Sequence, residues 1–213
     1  MTNPASPEPY RVWGDGTVVN NGRAGAVIGF AYYVERGGRS LFTGGGWQAY
    51  STASGKYVTN NIAEIQALMV PIALLYKTYG AREVHAISDS QYVLKGVSEW
   101  LWGWRRNGFR GYGGKDVLNR NLWEQFAWYT ENMRISTEHV RGHRSHAMGG
   151  SFGNDLTDRL AALYRVQRVV RPEVLLQSDF GERYNEMFRS RSKRDRDSYL
   201  EEYFRSDILG VRP

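Results

Sequence analysis

The sequence has no cysteine among its 213 residues. That absence excludes a disulfide-stabilised scaffold, a cysteine nucleophile and any zinc site that depends on thiolates. No apolar run reaches the roughly 18 residues that a membrane-spanning helix needs, and the first nine residues lack the basic-then-apolar pattern of a secretory signal. We therefore expect a soluble, cytoplasmic protein without a membrane segment.

Proline is also scarce, and three of the six prolines fall within the first nine residues. This clustering predicts an extended, flexible N-terminal arm over residues 1–9. Hydrophobic residues make up 41% of the chain, which is enough for an ordinary globular core, and we place the main domain at 10–167. The charge run over 189–197 is typical of a solvated helix or of disorder, so we expect residues 168–213 to form a C-terminal extension that is helical or partly disordered.

The order of strand-like and helix-like segments favours an α/β fold. Alternating and β-rich patterns predict strands, and apolar residues at helical spacing predict helices. Strands that are joined through helices indicate a mixed sheet with helices on its faces. Pro71 lies inside the first predicted helix, where we expect a kink or a break. The predicted strands cover residues 11–14, 24–35, 39–50, 83–88 and 134–140, and the predicted helices cover 59–79, 119–132 and 154–167.

Four acidic residues stand at predicted strand ends and helix starts, and each has a purely structural interpretation. Asp15 with Gly16 is typical of a turn, and Asp89 is typical of a helix cap. Glu64 fits a capping pair with Asn61 as the N-cap. Asp158, in the first turn of a predicted helix, is favoured by the helix dipole.

Taken together, the four acidic residues indicate a metal-binding site. Asp15 and Asp89 each follow a predicted strand, and ligands of α/β sheets bind at strand ends. Glu64 and Asp158 begin two predicted helices. Four carboxylates in one place repel each other unless a cation lies among them, and hard oxygen ligands favour Mg²⁺ or Mn²⁺. Because the chain is basic overall, with a net charge of +6, this arrangement predicts a metal-dependent nuclease.

The motifs that carry these acids resemble those of type 1 ribonuclease H, in the same order along the chain. They are DGT at residues 15–17, TNNIAE at 59–64, SDSQYV at 88–93, and GHxxH at 142–146 followed by GNxxxDxLA at 153–161. The resemblance covers residues 10–164. It implies a ribonuclease H-like five-stranded mixed sheet flanked by helices, and an endoribonuclease that hydrolyses the RNA strand of RNA–DNA hybrids by two-metal-ion catalysis.

By this resemblance, Asp15, Glu64, Asp89 and Asp158 are the catalytic quartet that holds two Mg²⁺ ions, with Mn²⁺ able to substitute. His143 matches a loop histidine that assists proton transfer or product release, a role that suits imidazole chemistry. The alternative for His139, His143 and His146 is a set of loop and strand-end residues, or a weak metal cluster.

The resemblance also implies two nucleic-acid-binding regions. One lines a groove for the hybrid and matches Asn21, Thr59, Asn60, Asn61 and Gln91, although the two adjacent asparagines also suit a helix cap. The other is a basic protrusion over residues 95–120, which we call the handle and which carries six Lys or Arg against two acids. Its cations suit phosphate contacts and its aromatics suit deoxyribose, although tryptophans at this spacing also suit a core. The candidate handle residues are Trp100, Trp104, Arg105, Arg106 and Arg110.

Two other classes of function stay open at this point. A non-catalytic module that binds hybrids or duplexes would share the handle but would lack a complete carboxylate quartet. Another nuclease or strand-transfer enzyme of the same fold, such as an integrase or a resolvase, usually carries a different acidic set and no such handle. We expect a monomer that acts on RNA–DNA hybrid.

Overall fold

Six strands form one mixed sheet in this computed structural model, which describes residues 8–51 and 56–204. Most of the predicted N-terminal arm, residues 1–7, lies outside the described residues. The strands run in the spatial order β7-β6-β1-β2-β3-β8, and β4 and β5 form a separate two-stranded ribbon. In chain order the strands are β1 Tyr10–Val19, β2 Val27–Arg36, β3 Arg39–Gln48, β4 Tyr50–Ser51, β5 Lys56–Tyr57, β6 Glu83–Ser88, β7 Arg134–His139 and β8 Arg171–Leu175.

Seven α-helices accompany the sheet in the described part of the chain. A π-helical stretch joins α2 to α3 without an intervening loop. Three predicted helices are confirmed to within two residues at each end. The helices are α1 Asn60–Tyr79, α2 Gln91–Lys95, α3 Leu101–Arg106, α4 Arg120–Asn132, α5 Phe152–Gln167, α6 Phe180–Ser190 and α7 Lys193–Tyr203, with the π-helix at Gly96–Trp100 and two 3₁₀ turns at Tyr112–Gly114 and His146–Met148.

The pairing of the strands confirms the predicted mixed sheet. β1 pairs antiparallel with β2 and parallel with β6, and β6 pairs parallel with β7. A hairpin at Gly37-Gly38 joins β2 to β3, and the two glycines have positive φ values of 58° and 72°. The C-terminal extension adds the sixth strand, because β8 pairs antiparallel with β3.

Two local expectations need correction. Asp15 does not follow a strand or form a turn, because β1 continues through it and pairs Asp15 with Ala31. The predicted break at Pro71 does not occur, since α1 runs through Pro71 in one piece. An interior proline costs about 3 kcal/mol, but Pro71 is itself buried and α1 has buried residues on both sides of it, including Leu68 and Ile72. Tertiary packing therefore outweighs the local preference.

The helices cover the two faces of the sheet with two hydrophobic cores. On one face α1 and α4 pack over the sheet, with Leu68 and Trp123 fully buried. On the other face α5 packs together with α6 and α7, so that Leu160 and Phe180 belong to the same core. The described part of the C-terminal extension, residues 168–204, is therefore packed against the sheet, and residues 205–213 lie outside the described residues. Within the described ranges, no helix is both long enough and apolar enough to cross a membrane.

Two glycines bring β1 into close contact with α1. A Cβ atom on Gly14 would lie 2.6 Å from the backbone oxygen of Ala67, and one on Gly16 would lie 2.6 Å from the Cβ of Ala63. Side chains at these two positions would push the helix away from the strand. The absence of side chains on either side of Asp15 thus holds β1 against the part of α1 that carries Glu64.

Candidate active site

Asp15 lies in the middle of β1, and only 5% of its surface is exposed. One carboxylate oxygen, Oδ1, accepts a hydrogen bond of 2.7 Å from the backbone N–H of Gly16. The other oxygen, Oδ2, is buried and accepts no hydrogen bond from any described residue. Buried polar atoms in proteins nearly always have a partner, and no described protein group is the partner of this oxygen.

Burial and neighbouring negative charges both affect the pKa of Asp15. Burial raises the pKa well above the ordinary value of 3.8, and the negative charges of Asp89, Asp158 and Glu64 raise it further. The hydrogen bond from Gly16 acts in the opposite direction without cancelling these effects. The fold therefore brings the other three acids of the predicted quartet close enough to Asp15 to disfavour its charge.

Glu64 is the fifth residue of α1, and both of its carboxylate oxygens are held. Oε1 accepts a 2.6 Å hydrogen bond from the amide of Asn60, and Oε2 accepts a 2.6 Å hydrogen bond from the hydroxyl of Ser90. Burial raises the pKa of Glu64, the Ser90 hydrogen bond lowers it, and the charge of Asp89 raises it. The structural alternative for Glu64, a capping pair with Asn61 as the N-cap, is wrong, because Thr59 is the N-cap residue of α1 and makes no side-chain capping bond.

Asp89 directly follows β6, as predicted, but the residue that caps the next helix is Ser90, whose hydroxyl accepts from the backbone N–H of Val93. The amide of Asn154 in α5 donates to Oδ2 of Asp89 over 3.4 Å. Gly142 lies so close that a Cβ atom there would stand 1.9 Å from the same oxygen. A side chain at Gly142 would therefore displace the carboxylate.

Asp158 lies in the second turn of α5, not in the first turn that its structural interpretation assumed, and Asp155 takes that first-turn position. Oδ2 of Asp158 is 3.5 Å from Nδ1 of His143. The His143 side chain is 77% exposed, and its backbone φ of 51° is left-handed. An accessible imidazole thus stands beside one member of the quartet.

The three histidines of this region have separate environments, which argues against the weak metal cluster considered above. Nε2 of His139 is 3.2 Å from the backbone oxygen of Asp89, whereas the ring of His146 packs edge-on against Phe188. Across residues 8–51 and 56–204, no three acidic or histidine side chains are close enough, as oriented, to enclose one ion. The charges of Asp89, Asp158 and Glu64 act on Asp15, but the four carboxylates do not enclose an ion in this arrangement.

The residues predicted to line the hybrid groove gather at the start of α1. Oδ1 of Asn21 accepts a 3.1 Å hydrogen bond from the backbone N–H of Asn60, so the loop after β1 is tied to the helix that carries Glu64. Thr59, Asn60 and Asn61 are half-buried, whereas Asn21 and Gln91 are exposed.

The handle contains a cluster of aromatic rings. Trp100 and Trp104 contact each other with centroids 5.5 Å apart, and Trp104 also packs against the buried Trp123 at 5.3 Å. Trp104 is therefore tied to the core, which favours the structural interpretation for that residue. Trp102, which the sequence analysis did not single out as a contact, is 56% exposed.

The three candidate arginines of the handle differ in their partners. Arg105 forms an ion pair with Glu131 of α4. Arg110 lies 3.6 Å from Asp116 and donates to the backbone oxygen of Gly114. Arg106 is exposed at the end of α3 and forms no ion pair with a described residue. It is the arginine of the three with the fewest internal contacts.

A family model described as RNase H matches residues 7–164. The chain belongs to the RNase H family. It is similar to the Ribonuclease H of Pelobacter propionicus, with 30% identity over 146 residues that cover 67% of this chain and 79% of that protein. It is also similar to the Ribonuclease H of Thiobacillus denitrificans, with 42% identity over 111 residues that cover 48% of this chain and 73% of that protein.

Solved RNase H structures share the fold. LC9-RNase H1, described as a type 1 RNase H with the type 2 active-site motif, matches 92% of this chain and 87% of its own with a TM-score of 0.69 at 18% identity. The RNase H domain of PFV matches 77% of this chain and 98% of its own with a TM-score of 0.59 at 21% identity. Because the match to LC9-RNase H1 covers 92% of this chain, it extends past residue 164, where the RNase H family model ends, into the C-terminal extension.

Membership of the RNase H family confirms three predictions: the resemblance to ribonuclease H, the ribonuclease H-like α/β fold, and the activity of a nuclease that hydrolyses the RNA strand of RNA–DNA hybrids. The family is generally Mg²⁺-dependent. We did not predict Ser90, Asn154 or Gly142 as site residues, although all three lie within the motifs that carried the resemblance. Each lies against a carboxylate in the folded chain, and that closeness is not visible in the motifs.

Proposed function

We propose that Asp15, Glu64, Asp89 and Asp158 form the catalytic centre with which this RNase H chain cleaves the RNA strand. The observation that carries the proposal is the buried Oδ2 of Asp15, which accepts no hydrogen bond from a described residue. The charges of the other three carboxylates also raise the pKa of Asp15. Burying an unpaired carboxylate among like charges is unfavourable, so the arrangement suits a site that binds cations.

The donor set fits Mg²⁺. All four side chains offer hard oxygen ligands and no thiolate is present in the chain, which matches the preference of Mg²⁺ and of Mn²⁺ as its substitute. When bound, two such ions stabilise the attacking and the leaving oxygens of a phosphodiester substitution. The four carboxylates would hold the ions, and a divalent charge among them would lower the pKa of Asp15 and Glu64.

Neighbouring side chains orient these carboxylates. Asn60 and Ser90 hold the two oxygens of Glu64, each over 2.6 Å, and Asn154 holds Asp89 from α5. These donors restrict the rotation of each carboxylate. We assign them a positioning role, in which they restrict the orientation of the carboxylate oxygens that α1 and the end of β6 supply.

His143 is proposed as the residue that carries a proton to or from the reacting oxygens. Its exposed ring reaches Asp158 without being buried against it, so it can contact solvent and a bound substrate in turn. A neutral imidazole accepts a proton at one ring nitrogen while the other donates. This combination of access and adjacency suits general acid–base work.

Substrate selection is assigned to the groove residues and the handle. RNA differs from DNA by its 2′-hydroxyl groups, and Asn21, Asn60, Asn61 and Gln91 offer amide donors and acceptors. The Asn60 amide nitrogen is already used by Glu64, which leaves its carbonyl oxygen to accept from a 2′-hydroxyl. Phosphate contacts are assigned to Thr59, which lies next to these amides, and to Arg106. Contacts with the DNA strand are assigned to the side chains of Trp100 and Arg110.

A cleavage assay tests the proposal directly. End-labelled RNA–DNA hybrid, duplex RNA and duplex DNA of one sequence are incubated with the full chain in Mg²⁺, in Mn²⁺ and in EDTA. We expect cleavage of the RNA strand of the hybrid only, and only with a divalent ion. Cleavage of duplex DNA, or cleavage in EDTA, would contradict it. A monomeric state and a cytoplasmic location remain predictions, the first of which light scattering on the purified chain would test.

A further inference from the structure

We propose that the C-terminal extension forms a second nucleic-acid surface, which binds the phosphate backbone of the hybrid beside the catalytic centre. The inference rests on the function proposed above and adds to it a surface that lies beyond residue 164, where the RNase H family model ends. The surface, which we call the basic junction, joins α6 to α7. Its members are four exposed cations, Arg189, Arg191, Lys193 and Arg194.

The basic junction lies next to the proposed quartet. Lys193 and Asp158 line the same cavity, of about 290 Å³, between α5 and α7. Asp158 also lines a second, small cavity, together with His143 and two further cations, Arg141 and Arg144, both of which are exposed. A phosphate backbone that passes Asp158 would therefore meet positive charge from the lining of both cavities.

A buried ion cluster holds the basic junction against α5. Nε of Arg196 donates to Asp155 over 2.9 Å and Nη2 donates over 3.1 Å. The hydroxyl of Tyr184 in α6 donates to the same carboxylate over 2.9 Å. Nη1 of Arg196 also donates to the backbone oxygen of Arg191 over 2.6 Å, which fixes the turn between α6 and α7 itself. The charge run is therefore anchored, not merely solvated.

The acidic residues of the run are used internally. Asp195 closes a capping box with Ser192 at the start of α7, and Asp197 pairs with Arg159 of α5. None of the four cations of the basic junction forms an ion pair with a residue in the described part of the chain, although the charge of Asp195 lies near Arg191 and Arg194. Glu201 lines the cavity beyond Lys193. The outward-facing charge of the junction is therefore predominantly positive.

Charge and location together select the partner. A row of unpaired cations suits a polyanion with repeated phosphates, and the phosphates nearest to the junction are those of the hybrid held at Asp158. Positive charge there also offsets the repulsion between the carboxylate quartet and an approaching phosphate backbone. Such contacts read no bases, so we expect them to raise affinity without changing the cleaved sequence.

The test compares two triple variants that lose the same charge. One carries Arg191→Gln, Lys193→Gln and Arg194→Gln in the basic junction. The control carries Arg39→Gln, Lys77→Gln and Arg134→Gln, which are exposed positions at the opposite end of the sheet and of α1. The dissociation constant for fluorescent RNA–DNA hybrid is measured in EDTA, where we expect no cleavage, over a series of salt concentrations, with circular dichroism to verify that both variants fold.

We expect the junction variant to bind about tenfold more weakly near 0.1 M salt, and the slope of log affinity against log salt to fall by roughly two to three. The control should change the dissociation constant by no more than about twofold. Equal effects of the two variants, or no effect of either, would overturn the proposal. If the junction variant does not fold, Lys193→Glu alone provides the comparison against Lys77→Glu. Wild-type cleavage of hybrid is scored separately, so failure of the proposed activity is distinguishable from failure of this surface.

Discussion

The hydroxyl of Ser90 donates to Glu64 over 2.6 Å while it accepts from the backbone N–H of Val93. One oxygen atom thus connects the end of β6, the first turn of α2 and the carboxylate carried by α1. Because Asp89 is the preceding residue, the same short segment supplies one acid of the proposed quartet and orients another.

We expect Ser90→Ala to lower both stability and activity. Loss of an N-cap costs about 1 kcal/mol of unfolding free energy, and Glu64 loses one of the two donors that fix its orientation. Ser192→Ala is the matched control, since it removes the cap of α7 at a distance from Glu64. Chemical denaturation should find similar losses for both variants. The single-turnover cleavage rate constant at saturating hybrid, which weaker binding at the basic junction does not affect, should fall for Ser90→Ala alone. Equal cleavage rates would contradict the positioning role of Ser90.

Asp15→Asn is expected to abolish Mg²⁺-dependent cleavage and to stabilise the metal-free protein. The folded-state pKa of Asp15 is raised, so its ionised form destabilises the fold at neutral pH, and this effect disappears as pH falls through that pKa. A neutral amide removes the effect at pH 7. We expect the melting temperature in EDTA to rise by about 2–4 °C for each kcal/mol relieved.

The same variant tests metal binding without an activity assay. Ligand that binds only the folded state stabilises it by about 2.7 kcal/mol at one hundred times its dissociation constant, so added Mg²⁺ should raise the melting temperature of the wild type. We expect little response from Asp15→Asn. A variant that cleaves at the wild-type rate, or that responds to Mg²⁺ as the wild type does, would exclude Asp15 as a ligand.

His143→Ala should reduce the cleavage rate constant on the order of 10²-fold, the usual contribution of a general acid–base group. The ring is exposed, so its loss should leave the melting temperature nearly unchanged. His146→Ala is the control in the same loop, because its ring contacts Phe188 and not an acid of the quartet. Single-turnover kinetics distinguishes the two, and wild-type rates for His143→Ala would remove its assigned role.

In the handle, Arg106→Ala should weaken hybrid binding more than Arg105→Ala does. Arg105 is partly neutralised by its ion pair with Glu131, whereas Arg106 is exposed without such a partner among the described residues. Each lost phosphate contact should lower the salt slope of binding by about one. Lys77→Ala, at the far end of α1, controls for net charge. Salt-dependent affinities that match the wild type would refute the handle assignment.

Asp155 predicts how stability depends on pH. Burial on its own would raise the pKa of this carboxyl, but hydrogen bonds and charge from Arg159, with hydrogen bonds from Tyr184 and Arg196, bring the pKa below its usual 3.8. A depressed folded-state pKa stabilises the protein above the unfolded value, and this stabilisation is lost as pH falls through the folded value.

We therefore expect Asp155→Asn to cost about 3 kcal/mol of unfolding free energy at pH 7, as for a broken buried ion pair, and less at pH 3. Asp179→Asn, which removes an exposed pair with Arg183, should cost less than about 1 kcal/mol at either pH. Urea denaturation at the two pH values provides the measurement. A difference between wild type and Asp155→Asn that does not shrink at pH 3 would contradict this account.

Local sequence patterns were sufficient to predict most of the strands and helices within residues 10–167. β6 begins and ends as predicted, and α4 begins one residue later than predicted, because apolar spacing and turn residues act over a few positions. The turn predicted at Asp15 was wrong for the same reason. An Asp-Gly pair is typical of a turn, and only the pairing of Asp15 with Ala31 keeps Asp15 in a strand. Cross-strand partners are not visible in local spacing.

The C-terminal extension could not be predicted in this way. Its charge run has the composition of a solvated segment, yet Arg196 is buried against Asp155, 41 positions earlier. Whether a charge is solvated or paired depends on such distant partners. Trp104 is a similar case, because its spacing in the sequence suits both contact with nucleic acid and packing in a core. Its contact with Trp123, which favours the core, comes from another helix.

The sixth strand also has a consequence for the solubility of shortened forms of the chain. β8 covers the backbone hydrogen-bonding groups of β3 and ends the sheet with a strand that contains Pro172, a residue that cannot donate to a further neighbour. Removing the extension would uncover β3 as an unprotected edge beside apolar surface that α6 now hides. Such edges recruit strands from other molecules, so we expect a version shortened after residue 167 to self-associate more strongly than the full chain.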